Sequence, residues 1–369
     1  LYKNSILVSR SEKLTRIAEL KDGEVAGFYA IFPEKSASLD SVYSGKAIVE
    51  SSHLVFVDIG LKSLGLLKVE KQHPKLTDGQ KVIVQINREA FDDSGEHTKE
   101  ESQKGVKLTR NIRLANRYFV YKIGDQSSIT SRTAAQFAPA QTLEDSEDSL
   151  KRLAEQLLQS NLEPCPRLLY RGSNSLERLL RDSSSSQTVL FDNHEDLSSA
   201  RTYCKEFHPE ILDSLTLAPL TQQPLFEHFG VEDDWENLFT KNIALPCGGH
   251  IVIETTACAT TIDVNQGSSD LVTANQEAIS CIIKQIRLRQ ISGNIIVDFA
   301  GIQQKTDYQR KLLLGFKTHI EQNVLDVHIL GWSMAGFLEL RRQKLYNPLA
   351  LELTKACESC SGWGRLKKT

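Results

Sequence analysis

Two acids and an amide carry the clearest chemistry in this chain. Asp263 and Asn265 lie in "ATTIDVNQG" (259–267), and Asp298 ends the apolar run of "NIIVDFAG" (294–301). Alternate residues of a strand share a face, so Asp263 and Asn265 point one way while Ile262 and Val264 point the other. Two carboxylates and an amide oxygen meeting at strand ends make a hard, all-oxygen site. Mg²⁺ suits it, because that ion takes one or two protein carboxylates and keeps water or substrate phosphates for its other positions. Such an ion polarises a phosphodiester and activates a bound water. The plainer reading of each acid alone is a turn or helix cap after its strand. A second pair, Cys357 and Cys360 in "CESCSGWG", forms a lone C-x-x-C, which reads as a redox dithiol or as two idle thiols.

The flanking pattern supplies elements to position the acids. "GGHIVIETTACATTIDVN" (248–265) reads as two strands with a turn or bulge between them. "NQEAISCIIKQIRLRQ" (275–290) is predicted as an amphipathic helix, since Ile279, Ile282, Ile283 and Ile286 recur at i, i+3, i+4 and i+7. Ser292 and Gly293 end it, and 294–301 follows as a short buried strand. A helix over 307–323 and a strand over 327–332 complete this unit. Both acids then end strands of one sheet, where ligand sites gather in open sheets. Upstream, short strands over 41–71 and 80–87, punctuated by Gly45, Gly60 and Gly65, suggest a small barrel of the OB type. The charged segment 88–105 reads as a flexible loop, 143–160 as a helix and "DSSSSQ" (182–187) as a turn or linker. "TVLFDN" reads as a strand and "HEDLSSARTYCKEF" as a helix.

With 369 residues, 40% hydrophobic and 25% charged, the chain is long enough for two or three domains and ordinary for a soluble protein. No apolar run reaches the roughly 18 residues of a membrane helix. The first residues lack a signal peptide's apolar core, and seven cysteines show no disulfide rhythm, so the expectation is a cytoplasmic protein with reduced thiols. A net charge of −3 argues mildly against nucleic-acid binding but leaves room for a local patch. Basic clusters at 107–117, 284–290, 341–344 and 365–368 each read first as solvated helix faces.

In this order, "GGHIVIETTACATTIDVNQG", "NQEAISCIIKQIRLRQISGNIIVDFAG", "GFLELRRQKL" and "CESCSGWG" resemble the catalytic half of the ribonuclease E/G family. The likeness extends to "YSGKAIVESSHLVFVDIGLKSLGLL", "KGVKLT" and "TVLFDN", and so spans nearly the whole chain. The resemblance implies a Mg²⁺-dependent endoribonuclease cutting single-stranded RNA, with Asp263 and Asp298 as metal ligands and Asn265 in support. It implies a multidomain α+β and α/β fold, in which an S1-type OB β-barrel (36–106) is inserted in a ribonuclease H-like subdomain (1–35 with 186–230). A reduced 5′-sensor-like region (107–185), a DNase I-like catalytic domain (231–349) and a zinc-link segment (350–369) follow. Cys357 and Cys360 would be half of a structural Zn²⁺ site shared between two subunits of a homodimer, with four thiolates in all.

The chain departs from the family pattern in places. The loop in "NQGSSDLVTANQEA" is shorter, and an upstream family acid is replaced near Ala257. The sensor's Arg-Thr pair corresponds to Arg171 and Gly172, and a pocket glycine to Asn116, while Val120 matches. Weak preference for a 5′-monophosphate is therefore expected. In the barrel, Phe56 keeps one RNA-stacking position, Leu66 replaces the second aromatic, and Lys104 matches a basic RNA contact. Arg287 and Arg289 are further candidates for phosphate contact. The alternative is a catalytically impaired RNA-binding protein of the same family. A phosphatase or other hydrolase would account for the acids but not for the barrel or the C-x-x-C.

Overall fold

The computed structural model describes residues 2–32, 38–69, 73–92, 103–124, 127–219, 222–256, 258–302, 307–323, 325–343, 348–355 and 357–360. It divides into two compact units: Leu1–Glu24, Tyr29–Phe91 and Lys104–His228 in one, and Val25–Phe28, Asp92–Gln103 and Phe229–Thr369 in the other. The architecture is mixed α+β.

The first unit opens with β1 (Ser5–Arg10), β2 (Thr15–Lys21) and β3 (Glu24–Ile31), the last giving its central residues to the second unit. A barrel interrupts this sheet. Its strands are β4 (Val42–Val49), β5 (Val55–Asp58), β6 (Gly65–Leu67) and β7 (Lys81–Arg88), and the chain then passes through the short ribbon β8 (Phe91–Asp92) and β9 (Gln103–Lys104) to β10 (Lys107–Thr109). The strand order β4-β5-β6-β10-β7 closes by pairing β7 back onto β4, so this five-strand barrel has the Greek-key closure of an OB-like module. Its inward residues, including Val57, Leu67, Val84 and Leu108, form the barrel core.

A three-stranded sheet follows, of β11 (Ile112–Ala115), β12 (Phe119–Ile123) and β13 (Ser128–Ser131), covered by α1 (Ala140–Leu158). The basic run 107–117 thus lies mainly on β10 and β11 rather than on a helix. After β14 (Arg167–Tyr170), which pairs with β4, come α2 (Ser175–Asp182), β15 (Thr188–Phe191), α3 (His194–Phe207), β16 (Leu215–Leu217) and α4 (Leu225–His228). β15 joins β1 in parallel, and β16 joins β15 in parallel, so the first sheet resumes where the barrel interrupted it. Ile6, Val8, Val189 and Phe191 pack against Leu180, Ala200 and Cys204 of α2 and α3.

The second unit contains α5 (Glu232–Glu236), β17 (Asn242–Ala244), β18 (His250–Thr255), β19 (Ala259–Asn265), α6 (Leu271–Leu288), β20 (Gly293–Asp298), α7 (Asp307–Gln322), β21 (His328–Trp332), β22 (Leu338–Arg342) and α8 (Leu349–Leu353). Its six-stranded sheet runs β17-β18-β19-β20-β22-β21. β19 and β20 are parallel neighbours joined through α6, while the other adjacent pairs are antiparallel. The predicted isoleucines of α6 are all buried, packed with Leu312 and Phe316 of α7 on Ile251, Ile262, Val264, Ile295 and Val297. That covers one sheet face. On the other, Thr261 and Asp263 are exposed and Asn265 is half-buried. The apolar run around Asp263 is therefore a one-sided strand, not a fully buried one.

Candidate metal centre and RNA-facing surfaces

Asp263 and Asp298 are register partners at the ends of β19 and β20. Neighbouring strands lie about 4.8 Å apart, so two acids in register share a face at close range. The Asn265 amide Nδ2 donates to Asp263 Oδ2 at 2.7 Å, fixing the orientation of that carboxylate. Partial burial, and then the negative charge of Asp263, push the Asp298 carboxyl above its usual range. A bound cation would relieve this repulsion. Among the described residues no third His, Cys, Asp or Glu joins the pair into a larger metal cluster. The donor set fits Mg²⁺, which leaves positions to water and phosphate, better than a closed Zn²⁺ site.

Close backbone packing fixes the loop after Asn265. Gly267 has φ +59°, and a Cβ there would lie 2.3 Å from the Gly248 carbonyl oxygen. The loop rests directly on the Gly248–Gly249 turn, and no side chain fits between. The helix begins sooner than its apolar period suggests, at Leu271 instead of 275, because Asp270 caps it: its carboxylate accepts from Val272 N–H and Thr273 N–H, both at 3.0 Å. His250 stands directly opposite Asn265 in the ladder, on the face that carries the acids. Ala257 lies outside the described residues.

Arg287 and Arg289 are not at this site. The chain leaves the acid-bearing end of β19, runs down α6 and re-enters at the start of β20, so the last turn of α6 lies at the opposite end of these strands. There Arg287 Nε donates to the Ala26 carbonyl. Arg289 is buried, donating to Gln285 Oε1 at 2.7 Å and to the Asn237 carbonyl at 3.0 Å. Both arginines are spent on holding backbone and helix end.

On the barrel, Phe56 and Leu66 are cross-strand partners, half-buried, on the outer face. The row continues to Ile48 on one side and to Lys107 and Arg88 on the other. Phe56 alternates with the buried Val55 and Val57, so its ring lies outside the barrel core. Lys104 ends β9, and its side chain lies outside the description.

In the sensor-like region, Arg171, Gly172 and Asn116 all make close contacts within the chain. Arg171 donates to Glu177 Oε1, and the other oxygen of Glu177 accepts from the Asn174 backbone in the cap of α2. Gly172 is wedged against the chain at Leu39–Ser41; a Cβ would sit 2.0 Å from the Leu39 carbonyl oxygen, so threonine does not fit. Asn116 is buried, donating to the Ser146 carbonyl and accepting from Tyr118 N–H and Phe119 N–H, and so fastens the β11–β12 turn to α1. Arg132, just after β13, reaches that turn. Its backbone N–H donates to the Tyr118 carbonyl at 2.7 Å, and Nη1 donates to the Asn116 carbonyl and to Asp182 Oδ1, both at 2.8 Å. Arg181 forks onto the same Asp182 at 2.9 and 3.1 Å. Burial would raise the Asp182 carboxyl, but these arginines outweigh it and hold the group below its ordinary range.

Cys357 is exposed and Cys360 half-buried in a turn at 358–360. Backbone N–H groups of Ser359 and Cys360 donate to the Cys357 sulfur and lower its pKa, favouring the thiolate a metal needs. One chain offers two such donors, which fits half of a tetrahedral zinc site. The "GWG" of the motif lies outside the described residues, and no two cysteines among the described residues form a disulfide.

Comparison with known proteins converges on one family. A model of the ribonuclease E/G family matches residues 95–345. The chain is 24% identical to ribonuclease G of Haemophilus influenzae, over 98% of this chain and 84% of that protein. It is 23% identical to ribonuclease G of Escherichia coli K12 over the same shares. It is 27% identical to ribonuclease E of that strain, over 89% of this chain and 35% of the larger protein.

Proposed function

The chain belongs to the ribonuclease E/G family and is an endoribonuclease; from that premise we propose that it hydrolyses single-stranded RNA with Mg²⁺ held between Asp263 and Asp298. The register of the two acids at adjacent parallel strand ends carries this reading. It brings both carboxylates to one open face, and the Asn265 bond orients one of them. A bound Mg²⁺ would offset phosphodiester charge and make an attacking water more acidic. Asp263 and Asp298 bind, and Asn265 turns Asp263 toward the shared position.

The row Ile48–Phe56–Leu66 beside Lys107 and Arg88 supports an S1-type RNA-binding barrel, with one aromatic platform where two would grip harder. The interrupted first sheet supports a ribonuclease H-like subdomain, and the one-sided sheet under α6 and α7 a DNase I-like catalytic domain. Preference for a 5′-monophosphate is weak in this reading. Arg132, which donates to the Asn116 carbonyl, already holds the Asp182 carboxylate, which a terminal phosphate must displace. Cys357 and Cys360 join the same pair of a second copy around one Zn²⁺, giving a homodimer. Among the described residues no helix is long and apolar enough to cross a membrane. A cytoplasmic location belongs to the same proposal.

The test is cleavage of AU-rich single-stranded RNA in Mg²⁺, beside Asp298→Asn. Wild type should cut and the variant should bind without cutting. If both bind RNA and leave it intact, the catalytic reading is wrong and the protein is an RNA-binding relative.

A further inference from the structure

We infer that Asn275 is a positioning residue for Asp298, acting through the backbone of Ala300. The inference rests on the metal reading above. Asn275 lies in α6 and is fully buried. Its Oδ1 accepts from the Ala300 N–H at 3.0 Å, and its Nδ2 donates to the Ala300 carbonyl at 2.9 Å. The side-chain amide thus satisfies both backbone groups of one residue, as a neighbouring strand would. Nδ2 also lies 3.2 Å from the Tyr308 hydroxyl, on α7.

The placement matters because the ladder runs out at the acids. On one side of β20 the last register pair is Val297 with Leu338; on the other it is Asp298 with Asp263. Asp298 is therefore the final residue of its strand, and like charge across the ladder pushes it away from its partner. A strand end without ladder partners opens more readily than its middle. Asn275 takes hold two residues beyond Asp298, so the acid is anchored on both sides. Asparagine is a poor interior helix residue, and burying its amide is costly without hydrogen bonds. Both costs are met here by the bonds to Ala300.

A residue that only stabilises the core would lower the melting temperature and nothing else. The experiment therefore reads metal affinity directly, by Mn²⁺ titration calorimetry on the whole chain without RNA, below the melting temperature. The variants are Asn275→Ala and, as a packing control from the same core, Leu312→Ala. Asn275→Ala should bind Mn²⁺ about 10-fold more weakly or worse, the range for loss of groups that orient metal ligands. Its kcat on RNA should fall at unchanged KM for RNA and recover in part at high Mg²⁺. Leu312→Ala should keep wild-type Mn²⁺ affinity despite a lower melting temperature. If Asn275→Ala does not fold, Asn275→Asp keeps the volume and the acceptor and should show a smaller loss of affinity. Wild-type affinity in the folded Asn275 variant overturns the inference and leaves the metal reading intact. No Mn²⁺ binding by wild type, with none lost in Asp298→Asn, overturns the metal reading and the inference with it.

Discussion

Asp263 and Asp298 stand opposite one another on adjacent parallel strands, and partial burial, with the negative charge of Asp263 added, raises the pKa of Asp298 above the usual carboxylate range. Asp298→Asn removes that repulsion along with a proposed metal ligand. Losing a group that merely orients a ligand costs about 10–100-fold, and losing the ligand itself should exceed that. Stability should move the other way. A carboxyl raised in the folded state costs stability as pH climbs from its unfolded pKa through its folded pKa, and the penalty is complete above that. The amide should therefore melt at neutral pH no lower than wild type, while cleavage falls more than about 100-fold and gel-shift affinity for RNA persists. A lower melting point would point to a structural role for the acid.

Leu66 faces Phe56 across the barrel strands, where a second ring would complete a stacking platform. Base stacking on an aromatic side chain is worth about 1–3 kcal/mol per base. Leu66→Phe should tighten single-stranded RNA binding by up to that amount, and Phe56→Ala should weaken it comparably. Fluorescence anisotropy with a short labelled RNA reads both. Unchanged affinity in Phe56→Ala would move the RNA path off this face.

Asp182 is gripped by Arg132 and Arg181 together. If that carboxylate occupies the place of a terminal phosphate, the wild type should cleave 5′-monophosphate and 5′-hydroxyl RNA at similar rates. Asp182→Asn, which loses the charge but keeps the shape, should raise the ratio several-fold. Arg132→Ala should leave it near one. A strong monophosphate preference in the wild type would contradict this arrangement.

His208 is buried, with Nδ1 donating to the Leu180 carbonyl at 2.8 Å. Burial, against the pull of that hydrogen bond, lowers its pKa below the usual histidine value. The unfolded chain then binds the proton more readily. The stability from neutral His208 is complete above the unfolded pKa of about 6.5 and is lost as pH falls through the lower folded value. Melting temperatures measured from pH 7.5 to 5 should decline in wild type and decline less in His208→Asn, whose amide can still donate to Leu180. Parallel profiles would remove His208 as the cause.

The acid pair was legible because its signals are local: strand period places Asp263 and Asn265 on one face, and each acid closes an apolar run. The α6 core was legible for the same reason, and Ile279, Ile282, Ile283 and Ile286 are all buried. What the sequence did not reveal depended on direction and pairing. The run "KQIRLRQ" looks basic and near the acids in sequence, yet an intervening helix carries Arg287 and Arg289 to the far end of the strands. Arg171 looked like half of a phosphate clamp, but Glu177 engages it, and Gly172 is set by close backbone approach at Leu39. β22 carries too short an apolar alternation to stand out, although it flanks β20.

Cys357 and Cys360 supply a last test, one that does not depend on catalysis. Backbone N–H groups of Ser359 and Cys360 favour the Cys357 thiolate, and two thiolates leave a tetrahedral zinc two donors short. Another copy of the chain would supply the other two, so metal content and mass should change together. Purified protein should carry about one zinc per two chains, the ratio four thiolate ligands imply, and sediment as a dimer. Cys357→Ser, or a strong chelator, should lower both zinc content and mass, and adding zinc should restore the dimer only where both cysteines remain. A dimer that survives complete zinc removal would show that other surfaces hold the copies together. A monomer with one zinc per chain would mean that the ligands come from within one chain.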